Sequence, residues 1–361
     1  MNHFARIRRF SISLAFSFLA SFGAGQHPVA AAGPALRPPA VPLVPCDPYF
    51  SIWSPADRLA DADTVHWTGR PHPLTGLVRI DGKPFRMIGT VPAAVPALPQ
   101  LGVEVLPTRT IARFEGAGAA ITLTFLTALL PEDLAILSRP VTYLGWECRS
   151  IDGKPHDVEL ALAASGELTV DSPAQVVLGA SETAGDLAVV KLGSEEQAVL
   201  ARRGDDLRID WGYLYLAAPA GAVAARAFGE REALANAFCT GGAKSVAGAP
   251  PQAAVRADRI TGCLTLAPVS AGESPITGWL LLAYDDLFSI QYMKKNLRPY
   301  WRRTGWEAPD LLKAAAADFP ALRERCQAFD AELMADLTRA GGEKYARLAA
   351  EIGRASCRER V

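Results

Sequence analysis

Two Asp-Gly-Lys tripeptides, Asp81-Gly82-Lys83 and Asp152-Gly153-Lys154, each stand between runs of apolar and β-branched residues (74–80 and 85–88; 141–151 and 157–164). Asp-Gly accepts the positive φ that a two-residue reversal needs, so each tripeptide predicts a β-hairpin. Strand-like runs at 120–126, 187–192, 197–201, 214–218, 263–268 and 278–284 carry the pattern to about residue 290. Many strands separated by turn residues, with few helical windows, imply a mainly β fold, a large antiparallel β-sandwich. The 361 residues are 50% hydrophobic and 21% charged, which supports a core of ordinary size and excludes a disordered, collagen-like or coiled-coil chain.

Helical periodicity is expected only late. Residues 289–301 read as an amphipathic helix. From Asp310, a candidate N-cap, Leu311, Leu312, Ala315, Ala316 and Phe319 recur at helical spacing. Beyond Pro320 the stripe resumes as Leu322, Cys326, Phe329, Leu333 and Leu337. It stops at Gly341-Gly342, and a new helix opens with Glu343, Tyr345, Leu348 and Ala349. The organisation expected is a signal peptide over 1–32, an extended or β segment over 33–104 that packs on the sandwich, the sandwich over 105–308, linker helices over 309–350, and a terminal stretch 351–361.

The first segment has the three parts of a secretory leader: basic Arg6, Arg8 and Arg9, an apolar run of about 15 residues, and small residues ending at Ala30-Ala31-Ala32. The run is shorter than the ~20 residues that span a bilayer, so the expectation is a secreted or periplasmic protein without a membrane partner. Removing +3 from residues 1–32 and +1 from residues 351–361 takes the formal charge from −1 to −5. That balance offers no basic field for nucleic acid. Export permits disulfides, yet Cys46, Cys148, Cys239, Cys263 and Cys326 are scattered without C-x-x-C spacing. Cys46 and Cys148, inside apolar or strand-like runs, read as buried thiols; Cys239 and Cys263 are a candidate pair. The stretch Glu351-Ile352-Gly353-Arg354-Ala355-Ser356-Cys357-Arg358-Glu359-Arg360-Val361 resembles the translation of a common sequencing adapter. On that reading the natural protein continues, residues 352–361 are disordered, and the helix from Glu343 docks weakly.

Unusual residues are densest over 47–73: Asp47-Pro48-Tyr49-Phe50-Ser51-Ile52-Trp53, Asp61, Asp63 and His66-Trp67-Thr68-Gly69-Arg70-Pro71-His72-Pro73. Asp47, Trp53, His66 and Trp67 are the candidate substrate-binding residues, since indoles, imidazole and a carboxylate can line a polar pocket with a stacking face. Core rings and surface caps are the competing structural reading. Asp61 and Asp63 fail as a calcium loop, which lacks Gly at its sixth position and has His72 at its twelfth. His66 and His72 lack the H-E-x-x-H frame of a zinc site. No G-x-S-x-G, P-loop or dinucleotide fingerprint occurs, so no metal or cofactor is implied and the catalytic residues are unassigned. Tyr284-Asp285-Asp286 reads as a strand end whose acids cap a helix beginning near Ser289.

Several of these blocks carry a resemblance. Residues 37–43, 47–53, His66-Trp67-Thr68-Gly69 and Leu74-Thr75-Gly76-Leu77 resemble the N-terminal region of the secreted glutaminase A family. Ala283-Tyr284-Asp285-Asp286, residues 297–303 and Gly342-Glu343-Lys344-Tyr345 are similar to its later landmarks. The resemblance covers about 37–350. It implies a modular extracellular protein in which a β-sandwich is joined by linker helices to a six-hairpin α/α toroid, similar to several glycoside hydrolases. The implied activity is hydrolysis of L-glutamine to L-glutamate and ammonia, with a small-molecule or saccharide substrate in the full-length protein. The toroid is expected to begin near Gly341, which leaves this chain as the non-catalytic region. The alternatives are an accessory sandwich of a glycoside hydrolase and a carbohydrate- or partner-binding module.

Overall fold

The computed structural model describes residues 40–356. The leader, the first part of the Pro-rich segment and Cys357 lie outside the described residues. Two antiparallel sheets face one another. The larger has nine strands in the order Val255–Arg256, Val176–Ala184, Leu187–Ser194, Tyr213–Pro219, Ile276–Asp285, Val141–Ser150, Ala119–Thr127, Arg109–Gly116 and Gln100–Val105. The smaller runs Val223–Gly229, Thr261–Leu266, His156–Ser165, Leu74–Ile80 and Lys83–Ile88, with Val269–Ala271 also paired to His156–Ser165. The expected antiparallel sandwich is the fold, and strands from the 74–105 region belong to both of its sheets.

Period-2 alternation builds the core. Ile121, Leu123 and Phe125 point inward from one strand, Leu144, Trp146 and Cys148 from its neighbour. Val78, Ile80, Leu160, Leu162 and Leu264 belong to the same cluster from the facing sheet. The outer faces are also covered. The helix Arg231–Gly241 lays Leu234, Ala235, Phe238 and Cys239 on Leu77, Ala161, Ala163 and Cys263. The long helix Ala308–Ser356 lays Leu311, Leu312, Ala315, Phe319 and Cys326 on Leu126, Tyr143 and Leu281 of the nine-stranded sheet. Burial on both faces explains why strands such as Tyr213–Pro219 read as unbroken apolar runs.

Polar clamps fix where the long helix sits. Buried Asp330 accepts from the Thr108 N–H (2.8 Å), the Thr108 hydroxyl (2.8 Å) and Arg109 Nε (2.7 Å). The Tyr143 hydroxyl donates to the Ala315 carbonyl (2.8 Å), and Arg139 pairs with Asp318 (2.7 Å). The N-terminal hairpin, Val41–Asp47 with Phe50–Ser54, buries Leu43, Val44, Cys46, Phe50 and Ile52 in the inter-sheet core.

Several expectations need correcting. Asp81 and Gly82 (φ 49° and 78°) do close a two-residue hairpin, with Ile80 opposite Lys83. Asp152-Gly153 does not: Val141–Ser150 belongs to the nine-stranded sheet and His156–Ser165 to the six-stranded one, so this turn is a corner between sheets. Residues 197–201 are a loop with Gln197 and Leu200 at positive φ, which a ladder does not accommodate. Residues 289–301 are a small hairpin, Ile290–Tyr292 with Lys295–Leu297, followed by a 3₁₀ turn at Tyr300–Arg302. Pro299 removes a helical donor and biases Arg298 away from the helical region, and Ile290, Tyr292 and Leu297 satisfy a period of two across the hairpin. No helix begins near Ser289, so Asp285 instead forms a buried ion pair with Arg302, which also pairs with Glu307.

Helix is not confined to the end of the chain, as Arg231–Gly241 shows. The break at Gly342 is present (φ 80°, ψ 174°), and helix continues through Pro320. Residues 352–356 are helical rather than irregular. The helix beyond Gly342 buries Ala346 and Ala350 while Tyr345 and Leu348 stay exposed. The five described cysteines are buried free thiols, including Cys239 and Cys263, which share one cluster.

Candidate functional site

The 47–73 cluster folds around one backbone carbonyl. Asp47 ends one strand of the N-terminal hairpin and its carboxylate accepts the Tyr49 N–H (2.7 Å), closing the turn through Pro48. The Pro48 carbonyl then accepts two donors, His66 Nε2–H at 3.0 Å and Trp67 Nε1–H at 2.6 Å. Residues 64–72 are held beside it because Trp53 and Val65 exchange backbone hydrogen bonds (2.8 and 2.9 Å). Gly69 takes positive φ (82°) in the turn that returns the chain, where the His66 N–H meets the Arg70 carbonyl at 2.8 Å.

His66 is fully buried, and its contacts set its tautomer. Nε2 carries the proton given to Pro48, so Nδ1 is the acceptor for the Thr68 N–H (3.3 Å) and lies 3.0 Å from the Thr68 hydroxyl. Burial, helped by the nearby Arg208 cation, pushes its pKa down to about 4. His72 packs edge-on against it at 4.9 Å and donates Nδ1–H to the Ser51 carbonyl (2.9 Å). Complete burial, with His66 adjoining, pushes its pKa down to about 3. Both rings are neutral near pH 7.

Three of the four candidate residues come together. Trp53, His66 and Trp67 line a groove of about 490 Å³ with Pro42, Pro55 and Val65, closed on its far side by Leu348, Glu351 and Ile352. Trp67 is 53% exposed while its N–H is spent on Pro48, and the Trp53 N–H is spent on the Ser51 hydroxyl (3.0 Å). The groove therefore presents indole faces rather than donors. Asp47 is placed elsewhere: it lines a small, partly open cavity of about 40 Å³ with Tyr284, Asp286 and Ser289. Sequence reading missed the wall from residues 348–352, nearly 300 positions away in the chain. Of these, only Leu348 stood in an expected helical stripe, and no sequence signal tied the stretch to the Trp67 turn. The remaining acids of the cluster are structural: Asp63 accepts from the Thr90 N–H and hydroxyl (2.9 and 2.8 Å) and pairs with Arg231, while Asp61 pairs with Arg58.

No helix among the described residues is long and apolar enough to cross a membrane. Comparison with known proteins adds three findings. Glutaminase A of Aspergillus oryzae is 30% identical over 139 residues, which is 36% of this chain and 20% of the relative, so the match spans about a fifth of that curated protein. Residues 18–98 match a domain of unknown function, DUF4964. Residues 108–336, the greater part of the sandwich and of the long helix, match a second domain of unknown function, DUF5127. That match spans more than half of the chain, and the chain belongs to the DUF5127 family.

Proposed function

We propose that this chain is the N-terminal, non-catalytic region of an exported glutaminase A-type amidohydrolase. The whole protein hydrolyses L-glutamine to L-glutamate and ammonia with groups outside the region described, in a helical toroid. Identity to a curated glutaminase A supports the reading. The chemistry of the Trp67 groove supports the non-catalytic part. A general base needs a nitrogen or carboxylate facing the reacting proton, and both nitrogens of His66 are already engaged inside the protein. The groove wall is dominated by indole, proline and aliphatic surface, so it supplies an apolar contact while the partners for the ammonium and carboxylate of glutamine come from the rest of the protein. Trp53, His66 and Trp67 then contribute to substrate binding only in the complete protein, Trp67 as the contact and His66 as the pin that orients it.

The test is a full-length family member carrying the His66-Trp67-Thr68-Gly69 motif. Trp67→Ala is expected to raise KM for glutamine about tenfold, the loss of one good contact, with kcat and the unfolding midpoint nearly unchanged. KM equal to that of the parent would contradict the role given to the groove.

A further inference from the structure

A second groove lies where the long helix leaves the outer face of the nine-stranded sheet half covered. Register fixes its floor in rows. Leu126, Tyr143 and Leu281 stand side by side beneath the helix. The next row outward is Thr124, Gly145 and Trp279, and the next is Thr122, Glu147 and Thr277. Glycine in the centre of the middle row leaves a trough between Thr124 and Trp279. A Cβ built at Gly145 would come no closer than 3.8 Å to any neighbour, so packing does not demand a glycine there. The far wall is one helix face, Phe319, Arg323 and Gln327 at i, i+4 and i+8. The trough encloses about 380 Å³, within the range of small-molecule sites.

We propose that this groove binds a neutral saccharide, independently of the glutaminase reading and of the Trp67 groove. The half-buried Trp279 ring packs tilted on Phe319 (5.2 Å) and edge-on to Tyr143 (6.4 Å), two rings that stack on each other at 4.7 Å, and this cluster fixes an apolar surface in the wall. The C–H face of a pyranose matches such a surface, and an indole held by its neighbours loses little entropy on binding. Three threonine hydroxyls and the Gln327 amide each donate and accept, as sugar hydroxyls do. Glu147 and Arg323 are exposed, form no ion pair among the described residues and balance each other in charge. The lining therefore favours a ligand without net charge. Arg109, also in the lining, is committed to Asp330.

The experiment is calorimetric titration of the full chain with maltotriose, cellotriose, chitotriose and mannotriose, and with glutamine as control. At least one trisaccharide is expected to bind with Kd on the order of 1 mM. Gly145→Val fills the trough with a residue suited to strands, and is expected to weaken binding at least about tenfold with the unfolding midpoint retained. Trp279→Ala is expected to weaken it similarly, and Trp67→Ala to leave it unchanged. The proposal is overturned if none of the four sugars binds at about 10 mM, if Gly145→Val binds like the parent, or if Trp67→Ala removes the binding. Glutamine bound in the Gly145 trough, displaced by Gly145→Val, would also overturn it while leaving the glutaminase reading intact.

Discussion

At the scale of single residues, three histidines sit in two environments of opposite sign. His66 and His72 are buried and neutral, with pKa values held down to about 4 and about 3 from the ordinary 6.5. The unfolded chain takes up protons at these sites before the folded one does, so stability falls as pH drops from about 6.5 towards 4. The expected loss is on the order of 3 kcal/mol or more. His156 is the reverse. Its ring nitrogens lie 2.7 Å from Asp81 and 2.9 Å from Asp152, both acceptors only, so the geometry calls for an imidazolium. Hydrogen bonds to Asp81 and then Asp152 raise its pKa, and the partners respond: Asp81 is lowered, and Asp152 is lowered to about 2. The imidazolium's contribution is present below pH 6.5 and is lost as pH rises through the raised value. The carboxylates' share is present above about pH 4 and is lost as pH falls towards 2. Unfolding midpoints measured from pH 4 to 9 should fall on both sides of neutrality. His66→Asn should flatten the acid limb, and His156→Gln should flatten the alkaline one. Unchanged limbs in those variants would contradict the assignments.

Elements show which sequence signals carry structural information. The strand Leu74–Ile80 and the Asp81-Gly82 reversal were legible because alternation and turn chemistry are local. Asp152-Gly153 has the same turn residues, yet local chemistry specifies only that the chain bends; which sheet the next strand joins depends on the partner strands Thr261–Leu266 and Leu74–Ile80. The helix Arg231–Gly241 was hidden in an Ala-rich stretch, where Leu234 and Phe238 are the sole large apolar pair one turn apart. The 290–297 hairpin turns on Met293 and Lys294, both at positive φ (46° and 65°). Neither residue is suited to that geometry, which Asn-Gly accepts. Replacing them with Asn-Gly should increase the amide hydrogen-exchange protection of Ile290–Tyr292 and Lys295–Leu297 severalfold; equal or lower protection would contradict the turn. Docking of the long helix depends on Asp330, which is 1% exposed. Asp330→Ala strands Arg109 and the Thr108 donors and should cost about 3 kcal/mol in chemical denaturation. Asp336→Ala, which breaks an exposed pair with Arg339, should cost under about 0.5 kcal/mol. Similar costs for the two would contradict the clamp.

For the whole molecule, the layers follow from amphipathic faces: two sheets enclose one core, and a helix covers the outer side of each. The mainly β class was legible from alternation alone. The candidate site was legible in part, since Trp53, His66 and Trp67 are close in sequence and their turn is local, whereas the orientation of Asp47 towards a different cavity and the wall from residues 348–352 are consequences of tertiary packing. Two landmarks of the family resemblance, Tyr284-Asp285-Asp286 and the 297–303 segment, meet in the Asp285–Arg302 ion pair, so they support the join between sandwich and long helix. On the proposed function, this region serves binding and support and the chemistry belongs to the rest of the whole protein. Ammonia release from L-glutamine by the purified chain, measured beside a full-length glutaminase A, tests that most directly. Turnover is expected from the full-length enzyme and none from this chain; glutamine hydrolysis by this chain alone, abolished on unfolding it, would contradict the proposed role.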